Sequence, residues 1–428
     1  MTAVPLIMPT GPTLSRRRVL QLGAAVGAAT LLPVSLAAGT AQAAPYTPTF
    51  MRFAYSGNPA SGPTDRWQWQ GLQANLAQPA ASTVANRYRY ATTIRRTTDN
   101  QGITQCTNPS TVRDEWLLRD GANRLVSRRA GDDVALDVGN AAYRTASADF
   151  LVGRCRAEGW TGVMLDEVNA DFGWGAFSAR PRNYPTNESW QQAMLGYVRE
   201  VGNRLRAAGF ELWGNLGTPT GQYRGFQQQV TLTGMRPVVE FFVGSTGFGN
   251  QVGTADNGLW ASQTEWLRWS LANTASTVVH DFTEDAALIA YGLGTFLLFD
   301  DGSGVYGADR AYSSSTPYPA CYDQSKRLGA PTGPARQVQV DVWRRDFAAG
   351  YVVVNTRSGG VSYLGQNLAG ASSTIVITGS TPPPVTTTPP PTTTPPPVTT
   401  TPPPPAPAPA PFNLFALLLQ WLRSLFGL

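Results

Sequence analysis

The chain of 428 residues has one histidine, His280, and three cysteines. A single histidine cannot build a His-rich metal site, and no His-Glu-x-x-His motif is present. A Ser-His-Asp triad would have to use His280, and no Gly-x-Ser-x-Gly motif accompanies it. Any enzymatic chemistry would therefore use carboxylates, tyrosines or arginines, and we expect neither a metal nor a cofactor. Cys106, Cys155 and Cys321 are too widely spaced for a zinc motif, which leaves one disulfide with a spare thiol or three unpaired thiols.

Charged residues are also scarce, at 14% of the chain, and the formal net charge is +5. Three of the positive charges, Arg16, Arg17 and Arg18, lie in a segment that we expect to be removed, and without them the balance is +2. The body of the chain has no basic run with interleaved aromatic residues. Composition therefore gives no electrostatic case for a nucleic-acid partner.

The N-terminus has the pattern of an export signal. Its arginines are followed by an Ala/Gly-rich apolar stretch to about Ala38, and Ala41-Gln42-Ala43 then gives a small-x-small cleavage site. Paired arginines before a mildly apolar region predict a twin-arginine signal over residues 1–43. The alternative is an uncleaved N-terminal anchor. We expect a protein that is secreted or associated with the cell surface.

Residues 46–330 alternate between short apolar runs and longer runs with helical periodicity. Eight runs are strand candidates: Phe50–Ser56, Thr83–Ile94, Asp133–Val138, Gly162–Val168, Glu211–Leu216, Pro237–Phe242, Ser276–Phe282 and Thr295–Asp300. Three intervening segments have helical spacing: Ala142–Glu158, Glu188–Ala208 and Thr264–Asn273. This alternation predicts an α/β fold, a (β/α)8 TIM barrel. The stretch Gln101–Arg129 fits the pattern less well, as a long loop or an inserted helix.

The C-terminal third has a different organisation. The pattern predicts two antiparallel strands, at Val338–Trp343 and Tyr351–Asn355, and a third strand at Val361–Leu364. Together they predict a β appendage over residues 331–380. Residues 381–411 are nearly all Pro, Thr, Val and Ala, a composition typical of an extended linker. The last segment, residues 412–428, predicts an amphipathic helix that contacts a membrane surface, the envelope or a partner. A disordered apolar tail is the alternative, and the sequence sets no expectation for the oligomeric state.

Two carboxylates stand out because active residues of such barrels lie at the carboxyl ends of the strands. Asp166 ends the fourth predicted strand, beside Glu167. Neighbouring side chains of a strand face opposite ways, and the sequence does not show which of the two faces inward. We choose Asp166, because the loop starts just after it; its alternative role is a structural cap. Glu240 stands in an apolar run, where burial would raise its pKa as a general acid requires, unless it is a core residue paired with Arg236.

Two carboxyl groups that flank one bond are the arrangement that glycoside hydrolysis needs, so we predict Asp166 and Glu240 as catalytic residues. Eight residues are candidates for substrate binding: Tyr55, Asp137, Glu167, Asn169, Trp213, Asn215, His280 and Asp300. Further aromatic candidates for packing on a sugar face are Trp174, Phe248 and Trp260. Each aromatic could equally be a core residue, and each polar residue a strand-end cap. His280 is either a neutral hydrogen-bonding group near the barrel mouth or a buried side chain held by Asp281.

Several of these residues lie in stretches that resemble hypothetical glycosyl hydrolase family 15. The run Leu136–Tyr143 is similar to the family pattern DVGNP.Y, with Ala142 in place of proline, and the run Gly159–Asn169 is similar to GxDGVFLDxV, with Thr161 in place of aspartate. The stretch Trp116–Asp120 resembles WFLRD, and Glu240 matches an acidic position less specifically. The resemblance covers roughly residues 50–365. It implies a (β/α)8 fold and glycosidase chemistry, in a layout similar to polygalactosaminidase-like and α-galactosidase-like barrels.

Three functions are consistent with these features. The first is a secreted glycoside hydrolase that acts on an extracellular or cell-envelope polysaccharide. The second is a non-catalytic carbohydrate-binding barrel displayed at the surface, and the third is a structural envelope protein. Acidic groups at two or more strand ends favour the first over the third.

Overall fold

The computed structural model describes residues 46–54, 69–72, 86–92, 95–96, 106, 111–128, 133–172, 177–217, 221–247, 250–309 and 319–378. The predicted export signal, linker and C-terminal helix lie outside these residues. Within them, no helix combines the length and the apolar character that a membrane crossing requires.

Eight parallel strands pair side by side into a sheet that closes on itself in the order β1-β11-β10-β9-β8-β7-β3-β2. The first eleven strands are β1 (Thr49–Ala54), β2 (Trp69–Leu72), β3 (Asn86–Thr92), β4 (Arg95–Arg96), β5 (Ser127–Arg128), β6 (Asp133–Ala135), β7 (Gly162–Asp166), β8 (Glu211–Asn215), β9 (Arg236–Val239), β10 (Thr277–Phe282) and β11 (Gly304–Asp309). We call the carboxyl end of the closed sheet the mouth and its amino end the base.

Helices alternate with strands from β3 onward. They are α1 (Ala141–Glu158), α2 (Asn187–Ala207), α3 (Arg224–Thr231), α4 (Leu259–Asn273), α5 (Ala286–Phe299) and α6 (Ala320–Lys326). Each of six consecutive strands of the sheet is therefore followed by a helix, which confirms the α/β class with a parallel central sheet. The connections after β1 and β2 are not among the described residues, so the complete (β/α)8 repeat stays a prediction.

The helix α2 shows how local sequence sets these elements. Its first turn is fixed by a capping box, in which the side chains of Thr186 and Ser189 each accept a hydrogen bond from the other residue's backbone N–H, at 3.2 Å in both directions. The apolar residues that give this segment its helical spacing lie on one face of α2 and are buried: Trp190, Met194, Tyr197, Val201 and Leu205. This amphipathic face attaches the helix to the outside of the sheet.

The predicted third strand does not belong to the closed sheet. Residues Asp133–Ala135 form β6 in a small antiparallel sheet of order β4-β6-β5, within the connection between β3 and α1. The stretch Gln101–Arg129, expected as a loop or inserted helix, contributes β5 and a short 3-10 helix at Asp114–Trp116. The sequence patterns also missed β2, whose neighbours in the closed sheet are β1 and β3.

The predicted eighth strand, Thr295–Asp300, is also wrong, because Thr295–Phe299 is the last part of α5 and Asp300 is its C-cap. The helix α5 is apolar on nearly every side because it lies between the closed sheet and a second β layer. A helix that is buried on all sides lacks the polar stripe by which a sequence pattern is recognised as helical. The true last strand is β11, whose two glycines and single aspartate interrupt its apolar pattern.

The second layer is a four-stranded antiparallel sheet of order β12-β13-β14-β17. The remaining strands are β12 (Arg336–Gln339), β13 (Val342–Phe347), β14 (Gly350–Asn355), β15 (Val361–Tyr363), β16 (Gln366–Leu368) and β17 (Ser372–Ile377). A turn at Val340–Asp341, with a φ of 58° at Asp341, divides the predicted strand Val338–Trp343 between β12 and β13. Strand β15 pairs with β16 in a separate hairpin.

None of the three cysteines forms a disulfide in the structure. Cys106 and Cys155 are buried thiols, and Cys321 is partly buried at the start of α6. The arrangement corresponds to the second of the two possibilities left open by the sequence, in which all three cysteines remain thiols.

We expect Trp213→Ala to lower the free energy of unfolding by about 3–5 kcal/mol, because deletion of a buried tryptophan removes its packing and leaves a cavity. The ring is 1% exposed and packs inside the closed sheet against Met164 and Val238. Chemical denaturation followed by circular dichroism measures the change. Trp213→Phe is the matched control and should cost less, since it keeps an aromatic ring in the same space. An alanine variant that loses less than about 1 kcal/mol would contradict the buried position.

Candidate active site

The inner faces of the strands carry an apolar layer below a polar one. The apolar layer is a buried cluster of six side chains: Met51, Met164, Trp213, Val238, Val278 and Val305. Side chains two or four positions further along the same strands point to the same side, toward the mouth. The polar layer that results comprises Asp166, Asn215, Glu240, His280 and Asp309. This parity places Asp166 at the mouth, since it lies two residues after Met164.

Glu167, the neighbour of Asp166, faces the other way. It is buried, and its φ of 61° places it in the left-handed region at the point where the chain leaves β7. The choice of Asp166 over Glu167 as the inward carboxylate therefore agrees with the geometry. The substrate-binding role predicted for Glu167 stays a prediction.

The two candidate catalytic carboxyls share one hydrogen-bond donor. Nδ2 of Asn215 donates to Oδ1 of Asp166 at 2.9 Å and to Oε2 of Glu240 at 2.6 Å. The amide is oriented by its other end, because Oδ1 of Asn215 accepts a hydrogen bond from the backbone N–H of Gly217 at 2.8 Å. The two carboxyl oxygens can be no farther apart than these two hydrogen bonds laid end to end, about 5.5 Å.

The surroundings of Glu240 favour its protonated form. Burial, followed by the nearby charge of Asp166, raises the pKa of Glu240 to about 8, against the opposing effect of the hydrogen bond from Asn215. Asp166 and Glu240 remain partly exposed, whereas Asn215 is buried. Both carboxyls are therefore reachable from solvent, and the pair consists of one acid and one hydrogen-bonded carboxyl.

The alternative role of Glu240, a core residue paired with Arg236, is wrong. Nη1 of Arg236 pairs with Glu211 at the base, at 2.5 Å. The guanidinium lies 5.3 Å from the centre of the Trp213 ring, whose Nε1 donates to Glu211 at 3.2 Å. Trp213 thus lies in the apolar layer with its indole directed to the base, so its predicted role as a sugar-binding residue at the mouth is corrected.

His280 is fully buried beneath the mouth, and its partner is Asp309 rather than Asp281. Nε2 of His280 lies 3.1 Å from Oδ2 of Asp309, and Nδ1 lies 3.2 Å from the backbone oxygen of Glu240. Asp281 follows His280 in β10 and therefore faces outward, where it accepts hydrogen bonds from the Tyr306 hydroxyl at 2.7 Å and the Gly244 N–H at 2.6 Å. The hypothesis that Asp281 holds the imidazole is wrong.

Asp300 lies far from the mouth. Its carboxylate accepts hydrogen bonds from the Tyr46 hydroxyl at 2.8 Å and from the N–H of Gly304 at 2.9 Å. Because Gly304 begins β11, this contact is at the base, and the predicted substrate-binding role of Asp300 is corrected to that of a buried cap. Burial raises the pKa of Asp300 to about 6.

Two further predicted polar residues lie in connections on the mouth side. Asp137 follows β6, is buried, and accepts hydrogen bonds from the Tyr184 hydroxyl and from the N–H of Gly139. Asn169 is buried in the connection after β7, and its backbone oxygen accepts a hydrogen bond from Nε1 of Trp190 at 3.1 Å. Their substrate contacts stay predictions.

The aromatic candidates do not form a platform in the part of the chain that the structure describes. Trp260 is buried in α4 against Trp343, with ring centres 5.3 Å apart. Tyr55, Trp174 and Phe248 lie outside the described residues. Across the described ranges, no cluster of three or more His, Cys, Asp or Glu side chains has a metal-binding arrangement.

Sequence reasoning missed Asp309. It ends β11, on the same inner face as Val305, and it is fully buried. The sequence does contain the pattern that identifies this residue, an aspartate at the end of the run Gly304–Asp309. Because the eighth strand was assigned to Thr295–Asp300, Asp300 was predicted at the mouth in place of Asp309.

Residues 84–351 match the model of a family described as hypothetical glycosyl hydrolase family 15. The match covers more than half of the chain and agrees with the resemblance seen in the sequence. No curated protein matches.

Three solved structures that resemble this chain have low sequence identity to it. A cycloalternan-degrading enzyme from Trueperella pyogenes is 10% identical, with a TM-score of 0.44, and the match covers 77% of this chain and 60% of that one. The GH36 alpha-galactosidase AgaA from Geobacillus stearothermophilus is 11% identical, with a TM-score of 0.40 and coverage of 72% and 47%. The alpha-N-acetylgalactosaminidase NagBb from Bifidobacterium bifidum is 11% identical, with a TM-score of 0.39 and coverage of 71% and 49%. The chain thus spans less than two thirds of each.

We expect Glu240→Gln to change how stability depends on pH. A carboxyl whose pKa is about 8 in the folded state, above its unfolded value of about 4.3, stabilises the protein fully below pH 4.3, and this contribution is lost as the pH rises to 8. Glutamine cannot ionise, so the free energy of unfolding of the variant should rise relative to wild type between pH 5 and pH 8. The gain in the free energy of unfolding should be roughly 1–3 kcal/mol. This is less than the whole pKa shift of Glu240 would give, because the side chain is partly exposed.

Urea unfolding of both proteins at several pH values within this window measures the difference. Glu265→Gln is the control, because the pKa of this exposed carboxyl is held below its usual range by a hydrogen bond from Arg224. A difference between Glu240→Gln and wild type that does not change with pH would contradict the protonated state of Glu240.

Proposed function

The chain belongs to hypothetical glycosyl hydrolase family 15, and we propose that it is an exported enzyme that cleaves O-glycosidic bonds of an extracellular or cell-envelope polysaccharide. The observation that carries the proposal is the shared amide of Asn215, which holds Asp166 and Glu240 on two sides of one donor at an open mouth. We extend the fold to a complete (β/α)8 barrel with a C-terminal β appendage and a Pro/Thr-rich linker.

The two carboxyls have separate roles in this proposal. Glu240 is protonated at neutral pH and donates its proton to the glycosidic oxygen as the bond to the anomeric carbon breaks. Asp166 attacks the anomeric carbon and forms a glycosyl ester. A water molecule then gives its proton to Glu240 and attacks the same carbon, which releases the sugar and restores both carboxyls.

The separation of the carboxyls supports a retaining mechanism. Retaining enzymes hold their two carboxyls about 5–5.5 Å apart, whereas inverting enzymes need about 6.5–9.5 Å to accommodate a water molecule. The two oxygens that share the Asn215 donor lie within about 5.5 Å of each other, a short spacing that favours the first class.

We expect Asp166→Asn and Glu240→Gln each to reduce hydrolysis by at least about 1000-fold while glycan binding survives, because each change removes a reacting group and keeps the side-chain shape. A glycan panel scored by released reducing ends finds the substrate, and calorimetry measures binding. Asp300→Asn is the matched control, since it changes a buried carboxyl at the base. If both site variants turn over normally, the assignment fails; if the wild type binds glycans but hydrolyses none, the carbohydrate-binding alternative holds.

The role of each carboxyl can be tested separately. Glu240→Ala should regain turnover on a substrate whose leaving group needs no proton, and Asp166→Ala should not. The first product observed by NMR should keep the anomeric configuration of the substrate, and wild-type kcat should fall as the pH rises through about 8, where Glu240 loses its proton. An inverted product would exclude Asp166 as the nucleophile.

Localisation and anchoring are part of the same proposal. The twin-arginine pattern and the apolar segment 412–428 support export followed by contact with the envelope or a membrane surface. Deletion of residues 412–428 should move the protein from the cell fraction to the medium without a change in turnover on a soluble substrate. The control deletes part of the linker instead, and identical fractionation of the wild type and the tail deletion would argue against anchoring.

A further inference from the structure

The only histidine of the chain lies between two acceptors. Nδ1 of His280 is 3.2 Å from the backbone oxygen of Glu240, and Nε2 is 3.1 Å from Oδ2 of Asp309. Both His280 and Asp309 are 0% exposed. The carbonyl oxygen accepts a hydrogen bond from Nδ1 when that nitrogen carries a proton, and the carboxylate beside Nε2 forms an ion pair when the ring is positive, so a ring protonated on both nitrogens suits both neighbours.

We propose that His280 is a positioning residue, held as an imidazolium by Asp309, that fixes the backbone of Glu240 and sets the charge beside its carboxyl. The inference rests on the proposed function, because it assigns His280 to the support of the acid in that reaction. His280 does not touch the substrate, since no part of it reaches the mouth surface.

The segment that carries Glu240 depends on β10 for its position. Strand β9 ends at Val239, so Glu240 is no longer held by the ladder of the sheet. Its backbone oxygen faces the His280 ring, and the N–H of Phe242 donates to the backbone oxygen of His280 at 2.9 Å. On the outer face, Asp281 accepts a hydrogen bond from the N–H of Gly244 at 2.6 Å. Two neighbouring residues of β10, His280 and Asp281, thus hold the turn after Glu240 by hydrogen bonds on the inner and the outer face of the sheet.

Electrostatics favour the charged ring. Burial alone lowers the pKa of His280, but the carboxylate of Asp309 and the proximity of Glu240 outweigh this effect, and the pKa of His280 is raised above its usual value. A positive ring compensates the carboxylate of Asp309, which is fully buried 3.1 Å from Nε2 of His280. Among the described residues, the charged groups around the ring are Asp309 from β11, Glu240 after β9, and Asp281 beside it in β10.

The charge also acts on the proposed acid. A positive ring lowers the pKa of Glu240, while burial and Asp166 raise it. Loss of the charge should therefore move the pKa of Glu240 upward and shift the alkaline limb of the pH profile with it.

A protein with one histidine permits a direct test. The full chain is labelled with 15N at the imidazole, and the two ring nitrogens are followed by NMR from pH 5 to pH 9. We expect both nitrogens to be protonated at pH 7, and Asp309→Asn to lower the pKa of His280 by about one unit or more because it removes the neighbouring charge. Asp300→Asn, which changes a buried carboxyl at the base, should leave both signals where they are. A neutral ring at pH 6 in the wild type, or a titration unchanged by Asp309→Asn, overturns the proposal.

The second measurement is the pH profile of hydrolysis by His280→Gln, which keeps an amide donor near the Glu240 carbonyl and removes the charge. A positioning role moves the alkaline limb upward and lowers kcat more than it changes KM. A merely structural role lowers the melting temperature and leaves the limb in place, which would overturn the proposal. The NMR arm needs no substrate, so a failure of the hydrolase assignment and a failure of this inference give different results.

Discussion

One amide group determines the arrangement of the mouth. Nδ2 of Asn215 is shared by the carboxyls of Asp166 and Glu240, and its own orientation is fixed by the N–H of Gly217. Burial of Glu240, together with the nearby charge of Asp166, raises the pKa of Glu240 and keeps a proton in the pair. The donor limits their separation while the burial of Glu240 decides which carboxyl carries the proton. Without Asn215, the distance between the two carboxyls would not be defined.

The alternation of side chains along the strands explains why this group forms above a dry interior. Met164, Trp213 and Val238 fill the closed sheet, and the residues two positions further on are Asp166, Asn215 and Glu240. The apolar layer excludes water from below, so that the polar layer is solvated only from the mouth. Below the carboxyl pair, His280 and Asp309 are buried as an ion pair. The site therefore takes its low-dielectric character from the sheet itself.

Much of this could be predicted from the sequence because strand ends carry information. The sequence marks Asp166 as a carboxylate at the end of an apolar run and Glu240 as a carboxylate within one. The parallel sheet that brings them together follows from the alternation of strands and helices. The limits have physical causes. The helix α5 has no polar face because it is covered on two sides, so it was mistaken for a strand. That error hid β11 and with it Asp309, and it assigned to the mouth an aspartate that caps the base. The orientation of Trp213 depends on register, which no local pattern records.

The position of α5 limits how the polypeptide can be divided into parts that fold separately. Nη1 of Arg345, from β13, donates to the backbone oxygens of Leu297 and Asp300 at the end of this helix, and Ser373 of β17 bonds to Ala290 within it. At Gly294 the helix backbone comes so close to Ser373 that a β-carbon would lie 2.3 Å from that side chain. The C-terminal sheet therefore covers the side of α5 that faces away from the closed sheet, which would otherwise be an exposed apolar surface. Because β12–β17 follow α5 in the chain, one apolar side of this helix stays uncovered during synthesis until the C-terminal strands have been made and have folded against it.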